Sequence, residues 1–437
     1  MIYQQNETHD PKAKSWVESA NGKNCDFPIQ NLPFGIFRRD GGCYQIGIAI
    51  GDSVFDLRAC GEADLLMDLD YPIRLGCRSD SLNELMSLTP RHWSALRKQL
   101  FRILSASANE KVRDRLQDFL VPFSQVQMKV PARIGDYTDF YAFVDHATHV
   151  GAMLRPENPL LPNYKWIPVG YHGRASSIVI SGTKIRRPSG QAKAEEAAAP
   201  VFRSSNRLDY ELEVGIFIGG GNSLGEPISI DHAAEKVFGL CLVNDWSARD
   251  LQAWEYQPLG PFLAKNFATS VSPWVVTMEA LQPYRVAASS RPHGDPAPLP
   301  YLHSTRDQGC GGIDLTLEVA LSTEKMRERK LAPYRLSSGS FRNMYWTIGQ
   351  LVTHHSSSGC NLRPGDLLAS GTVSGDSKDS RGCLLELTWK GTEPIRLPSG
   401  EERRFLEDGD EIIMRGWCEG EGKSHIGFGE CRGRIVN

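Results

Sequence analysis

No two of the ten cysteines, at positions 25, 43, 60, 77, 241, 310, 360, 383, 418 and 431, form a CxxC pair. That spacing excludes a zinc ribbon and a short disulfide framework, and leaves neutral thiols in a reducing cytosol. The N-terminus, MIYQQNETHDPKAK, has no apolar core of a signal peptide, and no apolar run approaches the ~18 residues of a membrane span. A soluble, cytoplasmic protein without a membrane partner is expected. Excess charge of one sign is also missing: 49 Lys+Arg against 52 Asp+Glu give −3. With no basic field to neutralise phosphates, a nucleic-acid partner is not expected. The glycine clusters GGGNSLG (219–225) and GFGECRG (427–433) lack GxGxxG spacing and read as turns. HExxH and internal repeats are absent as well.

The 437 residues suffice for two to three domains and a large core. Residues 1–130 form a first unit. In it, YQIGIAIGDSVFDL (44–57) reads as a hairpin about a Gly-Asp turn. Ser81 and Glu84 have capping-box spacing, and Thr89-Pro90 fits an N-cap followed by proline. Trp93, Leu96, Leu100 and Ile103 then repeat at helical spacing, and a further helix is predicted through Val112, Leu116, Phe119 and Leu120, closed by Pro122. Residues 131–437 form a second unit of short β-like runs: SSIVISG, YELEVGIFI, VFGLCLV, PWVVTM, DLTLEVAL, CLLELTWKG and DEIIMRGW. Without βαβ alternation a doubly wound sheet is disfavoured. The fold class is α+β, mostly β and mostly antiparallel. Segments 184–206 and 284–312 read as long surface loops and SGEERR (399–404) as a hairpin tip.

Several stretches hold residues suited to chemistry. In LDYELEVGIFI (208–218) Tyr210, Leu212, Val214, Ile216 and Ile218 alternate as one apolar face, which puts Glu211 and Glu213 together on the other. That face is either solvated or, if enclosed, in need of a cation. Asp245 ends an apolar strand and is either a helix cap or a ligand. Beyond it Arg249, Gln252 and Tyr256 share one helix face, a donor array for a carboxylate or an oxyanion, unless Arg249 makes a surface ion pair. Lys265 stands in a mostly uncharged stretch, and could equally point to solvent. DYTDFYAFVDHATHVGAMLR (136–155) concentrates three aspartates with His146 and His149, which read as structural, catalytic or zinc-binding. His354-His355 reads as a structural pair on a strand. Gly371-Thr372 follows an apolar run, where a turn brings N–H and hydroxyl groups near a ligand or simply closes a hairpin. Glu386 alternates with Leu385 and Leu387 in a strand-like run. Together these residues suit hydrolysis of a small anionic substrate aided by a hard cation, because carboxylate ligands favour Ca²⁺ or Mg²⁺ over zinc.

In order along the chain, DYTDFY, HAT, PVGYHGRASSIV, LDYELEVG, NDWSARDLQAWEYQPLGPFLAK and NLRPGDLLASGT resemble the fumarylacetoacetate hydrolase family, over most of 131–437 and more loosely before it. The resemblance implies a small N-terminal barrel, a C-terminal β-roll and a homodimer. It implies cleavage of a carbon–carbon bond in a β-diketo acid, ending tyrosine and phenylalanine breakdown. By motif it implies Asp139, Glu211, Glu213 and Asp245 as Ca²⁺ ligands, with Asp245, Lys265 and Thr269 at a Mg²⁺ site. His146 matches the general base and Glu386 the carboxylate that orients it. Arg249, Gln252 and Lys265 match the oxyanion and leaving-group stabilisers, and Tyr141, Arg155, Tyr171, Gln252, Tyr256 and Thr372 the substrate contacts. His149 departs from the asparagine expected there. Segments 284–312 and 325–340 match poorly. The alternatives are a shorter-substrate acylpyruvate hydrolase, decarboxylase or hydratase, and a silent metal-binding protein. The latter would not need His146, Glu386, Arg249, Gln252 and Lys265 together.

Overall fold

The computed structural model describes residues 4–194 and 196–437. The N-terminal part is a curled five-stranded antiparallel sheet in the spatial order Leu120–Pro122, Ser53–Asp56, Gln45–Ile50, Phe34–Arg39, Val126–Lys129. Its centre is the expected hairpin, turned at Gly51 and Asp52; Gly51 has φ 58°, a conformation that favours glycine. Helix Pro90–Leu104 starts at Thr89 with proline at its first position. It buries Trp93, Leu96, Leu100 and Ile103, the face the periodicity marked. Each such side chain removed from water contributes about 1.5–3 kcal/mol. Two details differ from expectation. Ser81 caps nothing: the short helix Asn83–Met86 begins after Leu82, with no side-chain cap. The helix through Val112 stops at Leu116, and Leu120–Pro122 leaves as a strand on the sheet edge. There ladder pairing with 53–55 outweighs helical periodicity.

The rest of the chain is built on two sheets. The larger runs Gly170–Gly173, Tyr137–Phe140, Leu367–Ala369, Leu212–Ile218, Val237–Asp245, Thr269–Val271, Ile178–Ile180, with Val276–Thr277 paired beside Val237–Asp245. The smaller runs Tyr334–Ser340, Thr316–Ser322, Glu411–Cys418, Ile426–Val436, Lys184–Arg186. They pack face to face through Val237–Asp245, and at Gly433 a Cβ would lie 2.3 Å from the Trp246 ring. Pairing is mostly antiparallel, so the class is α+β. No helix among the described residues is long and apolar enough to cross a membrane.

Further expectations are corrected here. CLLELTWKG is not a strand: Leu384–Leu387 is a helical turn, so Glu386 projects by helical and not alternating geometry. His354 and His355 lie on helix Ile348–Ser356, not on a strand. They bond Tyr301 Oη and Thr138 Oγ1 at 3.0 and 2.8 Å, as structural residues do. GFGECRG belongs to the long strand Ile426–Val436, where Gly429 sits at φ 66°. Segment 184–206 is no loop: Ser189–Ala192 and Val201–Ser204 form a hairpin, position 195 lying outside the described residues. Within 284–312, Arg285–Val286 pairs with Gly312–Ile313 and Thr305–Cys310 is a helix. Polar, Pro-rich composition hid these short pairings because their strands carry few β-branched residues.

Candidate active site

Sheet register gathers the acids. Leu212–Ile218 pairs antiparallel with Val237–Asp245, Leu212 opposite Asn244, so Glu211 and Glu213 reach the end of the strand that Asp245 closes. Leu367–Ala369 pairs with Leu212–Ile218 on the other side, and Tyr137–Phe140 runs parallel to it with Asp139 opposite Ala369. Asp139, Glu211, Glu213 and Asp245 thereby offer oxygens that all lie within 4.8 Å of one another, and all four residues are buried. The Glu211–Glu213 face is enclosed, the case in which a cation is the natural remedy for paired carboxylates.

Part of that charge is met by the chain. Lys265 Nζ donates to Glu211 Oε2 and, at 2.7 Å, to Asp245 Oδ2; Arg249 Nη1 lies 2.7 Å from Glu211 Oε1. Burial alone would raise Glu211, but Lys265 and Arg249 hold it well below the usual carboxylate range. Glu213 and Asp139 go the other way, raised by burial first and then by neighbouring carboxylates. Asp139 Oδ1 and Glu213 Oε1 are buried without a hydrogen-bond partner. Leaving such oxygens unmet is costly. Carboxylate-only donors with unpaired buried oxygens fit a hard divalent cation. Thr269 Oγ1 and Tyr171 Oη donate to Asp245 at 2.9 and 3.3 Å. The Lys265 ammonium has no lone pair, so any coordination by this residue must run through its main-chain carbonyl.

Helix Val144–Leu154 carries His146, whose Nδ1–H donates to Glu386 Oε2 at 2.6 Å and so leaves Nε2 as the free basic atom. Glu386 is fully buried. Burial would raise its carboxyl; hydrogen bonds from His146, His149 and Ser374 hold it well below its ordinary value. The rings of Tyr141 and His146 meet nearly perpendicular, centroids 5.2 Å apart. Arg249 opens helix Arg249–Glu255; its Nη1 donates to Gln252 Oε1 at 3.1 Å, and its Nη2 is buried and unpartnered. Buried Thr372 likewise has an unpartnered hydroxyl, next to Gly371 at φ 77°, whose N–H donates to Glu213. The other two positions are less tied in. Arg155 caps the His146 helix and donates to Pro159 O, and half-buried Tyr256 ends the Arg249 helix.

Residue-by-residue reading missed three contributors, Asp209, Ser374 and Cys383, and left the partner of His149 open. Asp209 takes Arg249 Nε at 2.9 Å and the Leu384 and Leu385 N–H groups at 2.8 and 2.9 Å, tying the guanidinium to the Glu386 turn. Its odd number, matching Glu211 and Glu213, was the available signal. Ser374 and Cys383 donate to Glu386 Oε2 at 2.8 and 3.2 Å, and His149 to Oε1 at 2.8 Å. Only folding brings these together, and local pattern carries no trace of it.

Comparison with known proteins gives the chain its relatives. Residues 136–436 match the family described as Fumarylacetoacetate (FAA) hydrolase C-terminal, and residues 30–131 Fumarylacetoacetase N-terminal. The fumarylacetoacetases of Bos taurus and Homo sapiens are 48% and 47% identical to the chain, each alignment covering 95% of it and 97% of the relative. That of Dictyostelium discoideum is 47% identical over 97% of this chain and 98% of its own. Among solved structures, Cg1458 with inhibitor superposes with TM-score 0.50 at 14% identity, covering 93% of this chain and 99% of that one, a likeness of fold alone. The family match and the near-full-length relatives make the chain a hydrolase of the fumarylacetoacetate hydrolase class. Within that class, the chain belongs to the fumarylacetoacetase family.

Proposed function

We propose that the chain hydrolyses the carbon–carbon bond of 4-fumarylacetoacetate to fumarate and acetoacetate, the final step of tyrosine and phenylalanine catabolism. The observation that carries this reading is the buried His146–Glu386 pair, set beside a carboxylate cluster and an arginine with an unspent donor. Near-full-length likeness to fumarylacetoacetases supports the substrate.

His146 Nε2 takes a proton from water, and the hydroxide formed attacks the carbonyl next to the fumaryl group. The imidazolium is stabilised by Glu386 through Nδ1–H. Arg249 Nη2, the Gln252 amide and Lys265 meet the tetrahedral alkoxide. As the carbon–carbon bond breaks, its electron pair leaves with the acetoacetate fragment, and the proton on His146 is available to that carbon. Tyr141, Arg155, Tyr171, Tyr256 and Thr372 hold the substrate. Asp139, Glu211, Glu213 and Asp245 would hold Ca²⁺, and Asp245, Lys265 and Thr269 would hold Mg²⁺. A bound cation supplies Lewis-acid polarisation of the diketone oxygens.

The same reading divides the chain into 1–130 and 131–437 and makes it a cytoplasmic homodimer. Trp254, Leu259, Phe262 and Phe202, exposed on the Arg249 helix, the loop after it and the adjacent hairpin, support an apolar contact between copies. Light scattering at micromolar concentration checks the dimer. The activity test is chelation followed by addition of fumarylacetoacetate with or without Ca²⁺ or Mg²⁺. Equimolar fumarate and acetoacetate, dependent on cation, are expected. No cleavage by the folded protein under any cation would sink this reading in favour of smaller 2-oxo acids.

A further inference from the structure

The two oxygens of Glu386 are unequally held. Oε2 accepts from His146 Nδ1 at 2.6 Å, from Ser374 Oγ at 2.8 Å and from Cys383 Sγ at 3.2 Å. Oε1 accepts from His149 Nδ1 at 2.8 Å, and no other hydrogen bond to it occurs among the described residues. Both imidazoles come from helix Val144–Leu154, three residues apart and therefore on one face. They grip opposite oxygens of one carboxylate that has no contact with solvent. The His149 ring also meets Trp389, centroids 6.4 Å apart at 70°, and the Arg381 guanidinium lies over that indole. Asp145 lies one helical turn before it.

We propose that His149 is a positioning residue, which locks the carboxylate plane of Glu386 and thereby sets how that carboxylate orients and stabilises His146. This rests on His146 as the base in the reading above. A carboxylate with donors on one oxygen only can swing about its Cγ–Cδ bond, and a swing moves Oε2 out of line with His146. Outer partners of this kind fix tautomer and orientation in histidine–carboxylate pairs. His149 has a second effect. Each N–H on the carboxylate withdraws part of its charge, so removing this donor presents more negative charge to His146 and makes the imidazole more basic. A more basic imidazole returns its proton to the leaving carbon less readily.

The chemistry of the side chain names the variants. In asparagine the amide nitrogen stands at the same bond distance from Cβ as Nδ1 does in histidine, so His149→Asn keeps a donor for Oε1. His149→Leu fills the space and donates nothing. Cation-saturated protein would be measured in two ways: kcat and KM for fumarylacetoacetate, and the titration of His146 by NMR of labelled imidazoles, assigned with His146→Gln. For His149→Leu, kcat falls about tenfold, KM stays near the wild-type value, and the His146 midpoint moves up. His149→Asn restores kcat and the midpoint. A folded His149→Leu with wild-type kcat, or with an unmoved or lowered His146 midpoint, overturns the proposal, as does His149→Asn behaving like leucine. If His149→Leu does not fold, the wild-type tautomer decides: His149 carrying its proton on Nδ1 supports the proposal, and a proton on Nε2 alone overturns it. The NMR readouts need no substrate. Failure of the wild type to cleave fumarylacetoacetate therefore removes the functional reading and the kcat readout, while the His146 midpoint and the His149 tautomer still decide whether His149 positions Glu386.

Discussion

Two arginines are buried to the same degree and do opposite things. Arg97, on helix Pro90–Leu104, donates to Thr8 Oγ1 and O at 3.0 and 3.3 Å, Asn31 O at 2.8 Å and Gln30 O at 2.5 Å. Its partners are neutral, and burial pushes its guanidinium down to about 10. Arg249 faces Asp209 and Glu211, whose charges overcome the burial that would lower it and hold it well above its ordinary value. The decisive contrast is in the donors. Every nitrogen of Arg97 is used within the chain, whereas Arg249 keeps Nη2 unmet. Arg97 is spent wholly on the fold, whereas the donor left over on Arg249 belongs to a guanidinium beside Glu211 of the carboxylate cluster. The carboxylates divide in the same way: Glu386 has donors on both oxygens, while Glu213 and Asp139 each keep one bare.

The comparison breaks most visibly at the base. His146→Ala should lower kcat about 10³-fold or more, because Glu386 retains its other donors but no atom is left to take the proton from water. A folded His146→Ala variant with near wild-type turnover would remove the base assignment. Next comes Arg249→Met, expected to lower kcat/KM by about 10²–10³-fold, as loss of an oxyanion donor does. Its counterpart, Arg97→Met, should destabilise by about 2–4 kcal/mol, since it strands several buried acceptors at once. Its activity per folded molecule should not change. Urea denaturation and active-site titration of both variants separate the two cases. Equal loss of specific activity in Arg97→Met and Arg249→Met would erase the distinction.

A smaller effect tests the bare oxygens. In chelated protein Glu213→Gln should raise stability by about 1 kcal/mol, because it removes a charge that burial and neighbouring carboxylates already oppose. The same change should abolish the stabilisation gained on adding Ca²⁺, which follows from binding to the folded state alone. Thermal melts with and without cation read both. A chelated variant less stable than chelated wild type would mean that the cluster is satisfied without an ion.

Legibility in the sequence followed the range of the interaction. The hairpin at 44–57, the buried stripe on Pro90–Leu104 and the face shared by Glu211 and Glu213 rest on periodicities of a few residues, and all are present in the fold. The strand reading of Glu386 failed because three leucines and a threonine around one acid fit either period, and its partners decided the matter: Asp209 caps the two N–H groups that open the turn. Leu120 was drawn out of a helix by pairing with Phe55, 65 positions earlier. Ser374 carries no local signal of its role, and Asp209 only the parity it shares with Glu211 and Glu213, since each acts on a residue reached only through the sheets.

The smallest expected effect belongs to the region around Arg97 again, and to His9 beside it. His9 Nε2 donates to Glu279 O at 2.8 Å, and Nδ1 accepts the Asn6 N–H at 3.0 Å. A second proton would have to sit on Nδ1, facing that N–H. Burial first and the Arg97 charge second lower its pKa from the ordinary 6.5, against the Glu279 contacts that raise it. The sign follows from proton counting. Below about 6.5 the unfolded chain binds a proton at His9 that the folded chain still refuses, so stability rises with pH through this window. The contribution is complete above the unfolded value and is lost as pH falls toward the folded one. His9→Gln keeps an amide donor and cannot titrate, so its melting temperature should fall less steeply than wild type between pH 7.5 and 5.5. Comparing the two slopes at one cation concentration cancels whatever the carboxylates contribute in common. Parallel slopes would mean that His9 accepts its proton in the fold as readily as outside it, and that the seam around Arg97 is less saturated than its hydrogen bonds indicate.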